Sequence, residues 1–501
     1  MKRNTELFGP AGTPRVVVVG CGFGGIAAGV KMKRAGIHSF TIFEKSEKIG
    51  GTWWDNQYPG AEVDVASHVY SFPFKRFDWS RTHAKQAELQ GYLEEVMSDW
   101  GLWSHLRLGV AVERAEWNES THTYSLTLDN GETLECDVLM AATGFLNVPQ
   151  YPTWPGLEEF ERPKWHTSRW EHEHDLTGKT VAVVGTGSTA TQIIPEIAPI
   201  VKRVYLFQRE PGWVSPKGDH DYTPEQRAQL ANPIFYWKTR LKEFRRLEKG
   251  VWAGGIYRPG HPTNQMREAA CREYIDREFA DYPELRKAVT PNYPYPGKRP
   301  IFNSTFYGAL KLENVELVPR AVESVTRTGV VDVDGVEREV DYLVMATGFQ
   351  PTNYLARIEI VGRTGRTLRE YWDGEPRAFL GITVPEFPNF YILYGPGTNG
   401  GEIVSLLQRQ SEYAVRCMKR MTREGVTAIE VKKAWADIYH AWLQSTMEGT
   451  SWTMSNNYFT TADGKVVTQW PYGALLYGVM SKLLGRPSER TRRRSPQPSS
   501  P

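Results

Sequence analysis

Cysteine is scarce in this chain, with 4 among 501 residues. Cys21, Cys136, Cys271 and Cys417 stand far apart and form no CxxC pair. That excludes a disulfide-stapled scaffold and a zinc knuckle, and it argues against a dithiol reductase. No metal ligand set is expected, and a reducing compartment, by default the cytoplasm, is. Long apolar runs are also missing. None approaches the ~20 residues that span a bilayer, so no transmembrane segment is expected. Excess charge of one sign is missing too: 60 Lys and Arg face 58 Asp and Glu, a formal net charge of +2. Nothing in that balance calls for nucleic acid. An apolar stretch after Lys2-Arg3 has the outline of a signal peptide. It contains a glycine turn that belongs to a fold, so it is not read as a targeting segment.

What the chain does have is glycine at two telling places. Val16-Val17-Val18-Val19 reads as a buried parallel strand and runs into Gly20-Cys21-Gly22-Phe23-Gly24-Gly25. The residues from Gly25 to Ala35 read as a helix closed by Gly36. A second strand ends at Glu44, ~20 residues past the turn, where a carboxylate takes ribose hydroxyls. Such a turn lets a pyrophosphate approach the backbone at a helix N-terminus. Thr180 to Val184 repeats the strand, followed by Gly185-Thr186-Gly187-Ser188-Thr189-Ala190. The next strand ends in Gln208-Arg209 in place of an acid. A guanidinium there suits a ribose 2′-phosphate. The first turn thus reads as an FAD or NAD site and the second as an NADP site, with Glu210 beside Arg209 weighing against the latter.

A second echo sets the organisation. Residues Asp137 to Phe145 and Asp341 to Phe349 each read as a short strand ending in Ala-Thr-Gly-Phe. Each is expected to close one nucleotide-binding half and pass the chain to the other. The expected fold class is α/β, with two interleaved Rossmann-like dinucleotide-binding domains and a helical insertion. One domain takes residues 1–148 and 380–485, the other 155–213 and 296–376. The insertion takes 214–295, and the Arg-, Ser- and Pro-rich tail 486–501 is expected to be disordered.

Residues Gly50 to Asp64, GGTWWDNQYPGAEVD, fill every fixed position of [AG]GxWxxxx[FY]P[GM]xxxD. This is the long signature of type I Baeyer–Villiger monooxygenases, which the chain resembles on through Ser67 to Phe72. The short family fingerprint is kept at Phe160, His166 and Trp170, but Arg162 replaces its Gly and Glu171 its Pro or Asp. Further likeness, to the 4-hydroxyacetophenone monooxygenase-like branch, lies in Leu393 to Gly401, Ser451-Trp452 and Gly464 to Pro471.

The resemblance implies cofactors FAD and NADPH/NADP+, and a small-molecule ketone and O2 as reaction partners. Reduced flavin would form a C4a-peroxide that inserts one oxygen beside the ketone carbonyl, giving an ester or lactone. It also implies roles. Arg299, in Lys298-Arg299-Pro300, would stabilise the peroxide anion, and Asp64 would hold Arg299 in place. Lys298 would help bind the NADP phosphate. His166 would be structural. Cofactor contacts are expected at Gly20, Gly22, Gly24, Gly25, Glu44, Gly51, Thr52, Trp53, Asp64, Tyr70 and Val112. Others are expected at Gly185, Thr186, Gly187, Ser188, Thr189, Gln192, Arg209, Lys298, Arg299 and Trp452. The alternatives are a sulfur or nitrogen monooxygenase, which needs no Asp–Arg pair, and a flavoprotein reductase, which needs only the two turns. A monomer or weak homo-oligomer is expected.

Overall fold

The computed structural model describes residues 13–252 and 254–494. Two parallel five-stranded sheets organise them. In the first, the strand order is Phe390–Ile392, Val138–Ala141, Val16–Val19, Phe40–Glu44 and Leu106–Leu108. Val16 is in register with both Phe40 and Val138. In the second, the order is Val315–Val318, Arg203–Phe207, Thr180–Val184, Tyr342–Met345 and Lys164–His166.

The unbroken valine runs follow from burial on both faces. Side chains alternate along a strand, so one run feeds two cores. Val16 and Val18 join a helical core with Ile26, Ala27 and Val30 of the helix Phe23–Arg34 and with Val404, Leu407 and Met418 of the helix Ile403–Glu424. Val17 and Val19 join a different core with Val112, Tyr124 and Leu126 of an antiparallel meander. The second sheet repeats the arrangement: Val181 and Val183 face the helix Ser188–Ile197, while Ala182 and Val184 face the small antiparallel sheet Val322–Glu339.

After each Ala-Thr-Gly-Phe the chain crosses between sheets. The two crossings run side by side: the Gln150 N–H donates to Gly348 O at 2.8 Å and the Gln350 N–H to Val148 O at 3.0 Å. The return crossing reaches the first unit early. Glu359–Val361 already pairs with the meander strand Val112–Asn118, ahead of the return near Leu380 read from sequence. No turn motif marks that strand, because its pairing is set by a neighbour more than 200 positions away.

Four insertion helices, Pro224–Ala231, Pro233–Val251, Pro262–Glu278 and Pro283–Val289, each begin with proline. Proline at the first helical position costs no hydrogen bond, since that N–H lacks a partner in any helix.

The tail departs from its expected disorder. Glu489–Arg492 forms a strand antiparallel to Ala428–Val431. Glu430, almost fully buried there, accepts from Arg490 at 2.7 Å and from Arg363 at 3.2 Å. The Arg-rich composition that reads as a solvated tail thus serves a buried carboxylate. Residues 495–501 of that tail lie outside the described residues.

Candidate active site

A cavity of about 1440 Å3 runs between the two sheets and borders both glycine turns. It exceeds the roughly 300–1,000 Å3 of an ordinary small-molecule site. At the first turn Gly20 has φ 102°, and a Cβ there would stand 2.7 Å from Ala142 O. At the second, Gly185 has φ 116°, and a Cβ would stand 2.4 Å from Ala346 O. Only glycine fits either place.

Gly22 and Gly187 occupy the N-cap positions of the two following helices, and neither helix has a side-chain cap. Three insertion helices are capped by Thr223, Asn232 and His261. Uncapped N–H groups that face a cavity at the positive end of a helix are what a phosphate binds. Both turns therefore fit dinucleotides.

Glu44 is buried and accepts the Cys21 N–H at 2.8 Å and the Ser46 N–H at 2.9 Å. It braces the first turn as well as bordering the cavity. Gly51, Thr52 and Trp53 lie against that turn, where the Gly50 N–H donates to Cys21 O at 2.9 Å. Trp53 donates to the Tyr70 hydroxyl at 3.3 Å, and burial pushes that phenol up to about 12.

Asp64 and Arg299 are 235 positions apart and meet in the cavity, Nη2 donating to Oδ2 at 2.7 Å. The Asp64 carboxylate is largely enclosed, at 14% accessible. Arg299 lies deep in the protein, yet 44% of its side chain is accessible because it borders open cavity. Burial, the largest single influence, works against its charge, but Asp64 together with Tyr458 and Tyr394 holds it above its ordinary value. Four tyrosines share this field. Burial raises Tyr58, Tyr70, Tyr394 and Tyr458, and the Arg299 charge opposes the rise in each.

Every expected cofactor contact borders the cavity except two. Gly25 sits one step inside, where a Cβ would stand 1.9 Å from Gly20 O, so it packs the helix on the turn. Trp452, expected at the nicotinamide, is buried in the helical core against the Tyr257 ring at 4.2 Å. A large apolar ring with apolar neighbours available is drawn into that core. Tyr458, a few residues on, borders the cavity instead.

Lys298 forms an ion pair with Glu210 and lies over the Tyr293 ring at 5.1 Å. Arg209 borders the cavity, is exposed, and has no ion-pair partner among the described residues. Gln192 joins the two units, accepting from Tyr58 at 2.9 Å and donating to Glu62 O at 3.1 Å. His166 is buried between Ser168 Oγ and Gly348 O, both at 2.9 Å, and burial lowers it to about 4, as suits a structural ring. Arg162, the departure from the short fingerprint, donates to Val340 O at 2.6 Å and to Glu339 at 2.7 Å.

Three further residues border this site: Tyr394 falls within the Leu393–Gly401 likeness, while Tyr458 and Glu402 were not singled out from sequence. Tyr394 has φ 65° and donates to Asn399 Oδ1 at 2.8 Å, inside the glycine loop that borders the cavity. Tyr458 is the second. Glu402 is the third: it is almost fully buried, caps the helix Ile403–Glu424 through Val404 and Ser405, and borders the cavity. Burial raises its carboxyl to about 7 against the pull of the Ser405 N–H and Arg240. A polar residue next to the glycine pair Gly400-Gly401 was the one available signal.

The pattern described as pyridine nucleotide-disulphide oxidoreductase matches residues 17–235. The four described cysteines are free and separately buried, so that likeness concerns the nucleotide folds and not a dithiol. A Baeyer-Villiger monooxygenase of Streptomyces coelicolor is 36% identical over 466 residues, 91% of this chain and 88% of that one. One of Pseudomonas aeruginosa is 33% identical over 473 residues, 91% and 87% of the two chains. A steroid monooxygenase solved with NADP superposes with a TM-score of 0.85 at 28% identity, over 96% of this chain and 99% of that one. A structure titled OTEMO complex with FAD and NADP superposes at 0.86 and 25% identity, over 96% and 100%.

Proposed function

The chain belongs to the Baeyer–Villiger monooxygenase family, and from that premise we propose that it inserts one oxygen atom of O2 beside the carbonyl of a ketone, yielding an ester or lactone. The observation that carries this reading is the Asp64–Arg299 pair, set in one cavity with both dinucleotide turns. When bound, FAD supplies the oxygen transfer and NADPH the hydride.

The protein's own residues then have distinct tasks. Arg299 is a fixed cation at the point where negative charge grows on the ketone oxygen, and it needs no rearrangement to meet it. Asp64 is a positioning residue that keeps the guanidinium aimed into the cavity. Tyr58 and Gln192 hold the two units in register across it. Their link keeps Arg299, carried by the second unit, over the first. The first-turn helix Phe23–Arg34 and Glu44 receive the flavin dinucleotide. Arg209 takes the 2′-phosphate of NADPH, and Lys298 reaches the same anion from its partner Glu210. The tyrosines around Arg299 fill space that water would otherwise occupy, which would limit the unproductive release of hydrogen peroxide.

The test is to follow NADPH consumption, ester and hydrogen peroxide with a panel of ketones, for the wild type and Arg299→Ala. The expected result is ester formation down about 10²–10³-fold, as for removal of one preorganised charge stabiliser. NADPH oxidation should persist and end in hydrogen peroxide. Undiminished ester in that variant removes Arg299 from the chemistry. Sulfoxide or N-oxide in place of ester from matched substrates moves the reading to heteroatom oxygenation.

A further inference from the structure

The insertion helix Pro233–Val251 buries little of itself. Only Tyr236, Arg240 and Glu248 are buried along its 19 residues. Arg240 moors its middle to the body, donating to Ser71 O at 2.9 Å and Ser71 Oγ at 3.0 Å. Glu248 moors its end by accepting the Ala474 N–H at 2.7 Å and the Leu475 N–H at 3.2 Å. That contact caps the helix Ala474–Leu483.

The free face is unusual. Ile234, Phe235, Trp237 and Leu241 are 63, 42, 37 and 46% exposed, and Trp252, just past the helix, is 57% exposed. At about 100° per residue, Trp237, Leu241 and Ile234 fall in one stripe. Lys238, Lys242, Arg245 and Lys249, all exposed, fall in the stripe beside it. The acid Glu243 lies on the far side and is paired with Arg246 at 2.8 Å. The capped helix adds Leu475, Val479 and Leu483 at i, i+4 and i+8, exposed by 46, 53 and 65%. Glu248 ties the end of Pro233–Val251 to the start of Ala474–Leu483.

This pairing of features selects an occupant. Exposed Trp and Phe suit the boundary between headgroup and hydrocarbon, and a flanking basic stripe suits anionic headgroups. A second copy of the chain would set the basic stripe against itself across a two-fold axis, which like charges oppose. No helix among the described residues is long and apolar enough to cross a membrane, so any such contact is peripheral. We propose that the face formed by Pro233–Val251 and Ala474–Leu483 seats this protein on an anionic lipid surface. The proposal is independent of the reaction assigned above.

The test is co-sedimentation of the FAD-loaded full chain with vesicles of phosphatidylcholine alone or mixed with phosphatidylglycerol, with gel filtration in parallel. Binding is expected only to the mixed vesicles and should weaken with salt. Lys238→Gln and Lys242→Gln should each weaken it about fivefold, the effect of one cation at such a surface. Ile234→Ser with Leu241→Ser should abolish it and leave the unfolding temperature and NADPH oxidation as in the wild type. A wild type that stays in the supernatant with mixed vesicles overturns the proposal. So does a serine variant that still sediments. A wild-type dimer that the serine variant turns into monomer, with no vesicle binding, overturns it in favour of self-association.

Discussion

Asp64→Asn isolates the positioning role, because it keeps the shape of the side chain and removes its charge. Two charges about 4 Å apart at an effective dielectric of 20 attract by about 4 kcal/mol, an upper bound here. The open cavity beside Arg299 lowers the net figure, since 44% of that side chain is accessible. Mutational series put a hydrogen bond to a charged group at about 1.5–3 kcal/mol. Asparagine still offers an amide oxygen to the charged guanidinium at the 2.7 Å contact. The loss should then fall at the low end, about 1.5–2 kcal/mol, or roughly 10- to 30-fold in kcat/KM for the ketone. Asp64→Ala, which retains nothing, should lose more. The assay is the ratio of ester to NADPH consumed, with hydrogen peroxide measured in the same reaction and flavin content checked by absorbance. The mechanism predicts full flavin content, a fallen ratio and a matching rise in peroxide. An Asn variant with an unchanged ratio refutes the argument that Asp64 aims Arg299. A variant that has lost its flavin shows that Asp64 serves binding and not alignment.

Arg209→Ala should raise KM for NADPH about 10- to 100-fold, the loss of a charge-assisted hydrogen bond, and change KM for NADH little. Equal losses for both nucleotides would remove Arg209 from 2′-phosphate recognition. Gly20→Ala should give apo-protein or no soluble protein, since its Cβ has 2.7 Å to Ala142 O at φ 102°; normal flavin content would count against the turn as described. Glu402 has a folded-state value of about 7, above the ordinary carboxyl value of 4.5. Its contribution to stability is therefore complete below pH 4.5 and is lost as pH rises through about 7. Unfolding temperatures measured across that window should fall less in Glu402→Gln than in the wild type, and parallel curves would show that Glu402 does not titrate there.

Both glycine turns and the long signature were legible in sequence because each is a local necessity. A turn that must take φ above 100° beside a carbonyl accepts no other residue, and the valine runs before it announce burial on two faces. Asp64 and Arg299 were legible only through resemblance, since nothing local says that residues so far apart will touch. Trp452, borrowed in the same way, does not border the cavity. Its neighbourhood pattern was kept, yet its ring has Tyr257 to pack on, and the cavity wall is made by Tyr458. The tail failed for a related reason. Arginine-rich sequence reads as solvated unless a buried acid is waiting for it, and Glu430 lies some 60 positions upstream.

The position of Arg299 rests on more than Asp64. The segment that ends in Asp64 is gripped by elements that come later in the chain. Glu62 takes the Lys217 ammonium at 2.7 Å, and that lysine is 1% accessible, so the pair is shielded from salt and competing water. Gln192 takes the Glu62 carbonyl and the Tyr58 hydroxyl from the helix of the second turn. The signature loop is therefore a clamp between the two dinucleotide folds, and its fixed residues divide their work between touching the cavity and holding it shut. Removing one partner of a buried pair costs about 3–5 kcal/mol when the other charge is left stranded; here Arg81, 3.7 Å from the Glu62 carboxylate, remains as a second partner, so the loss should fall below that range. Lys217→Met should accordingly lower the unfolding temperature and also uncouple NADPH use from ester formation, although Lys217 itself does not border the cavity. A variant that is destabilised but fully coupled would show that the clamp serves folding alone, and that Arg299 is aimed by Asp64 without help from the rest of the loop.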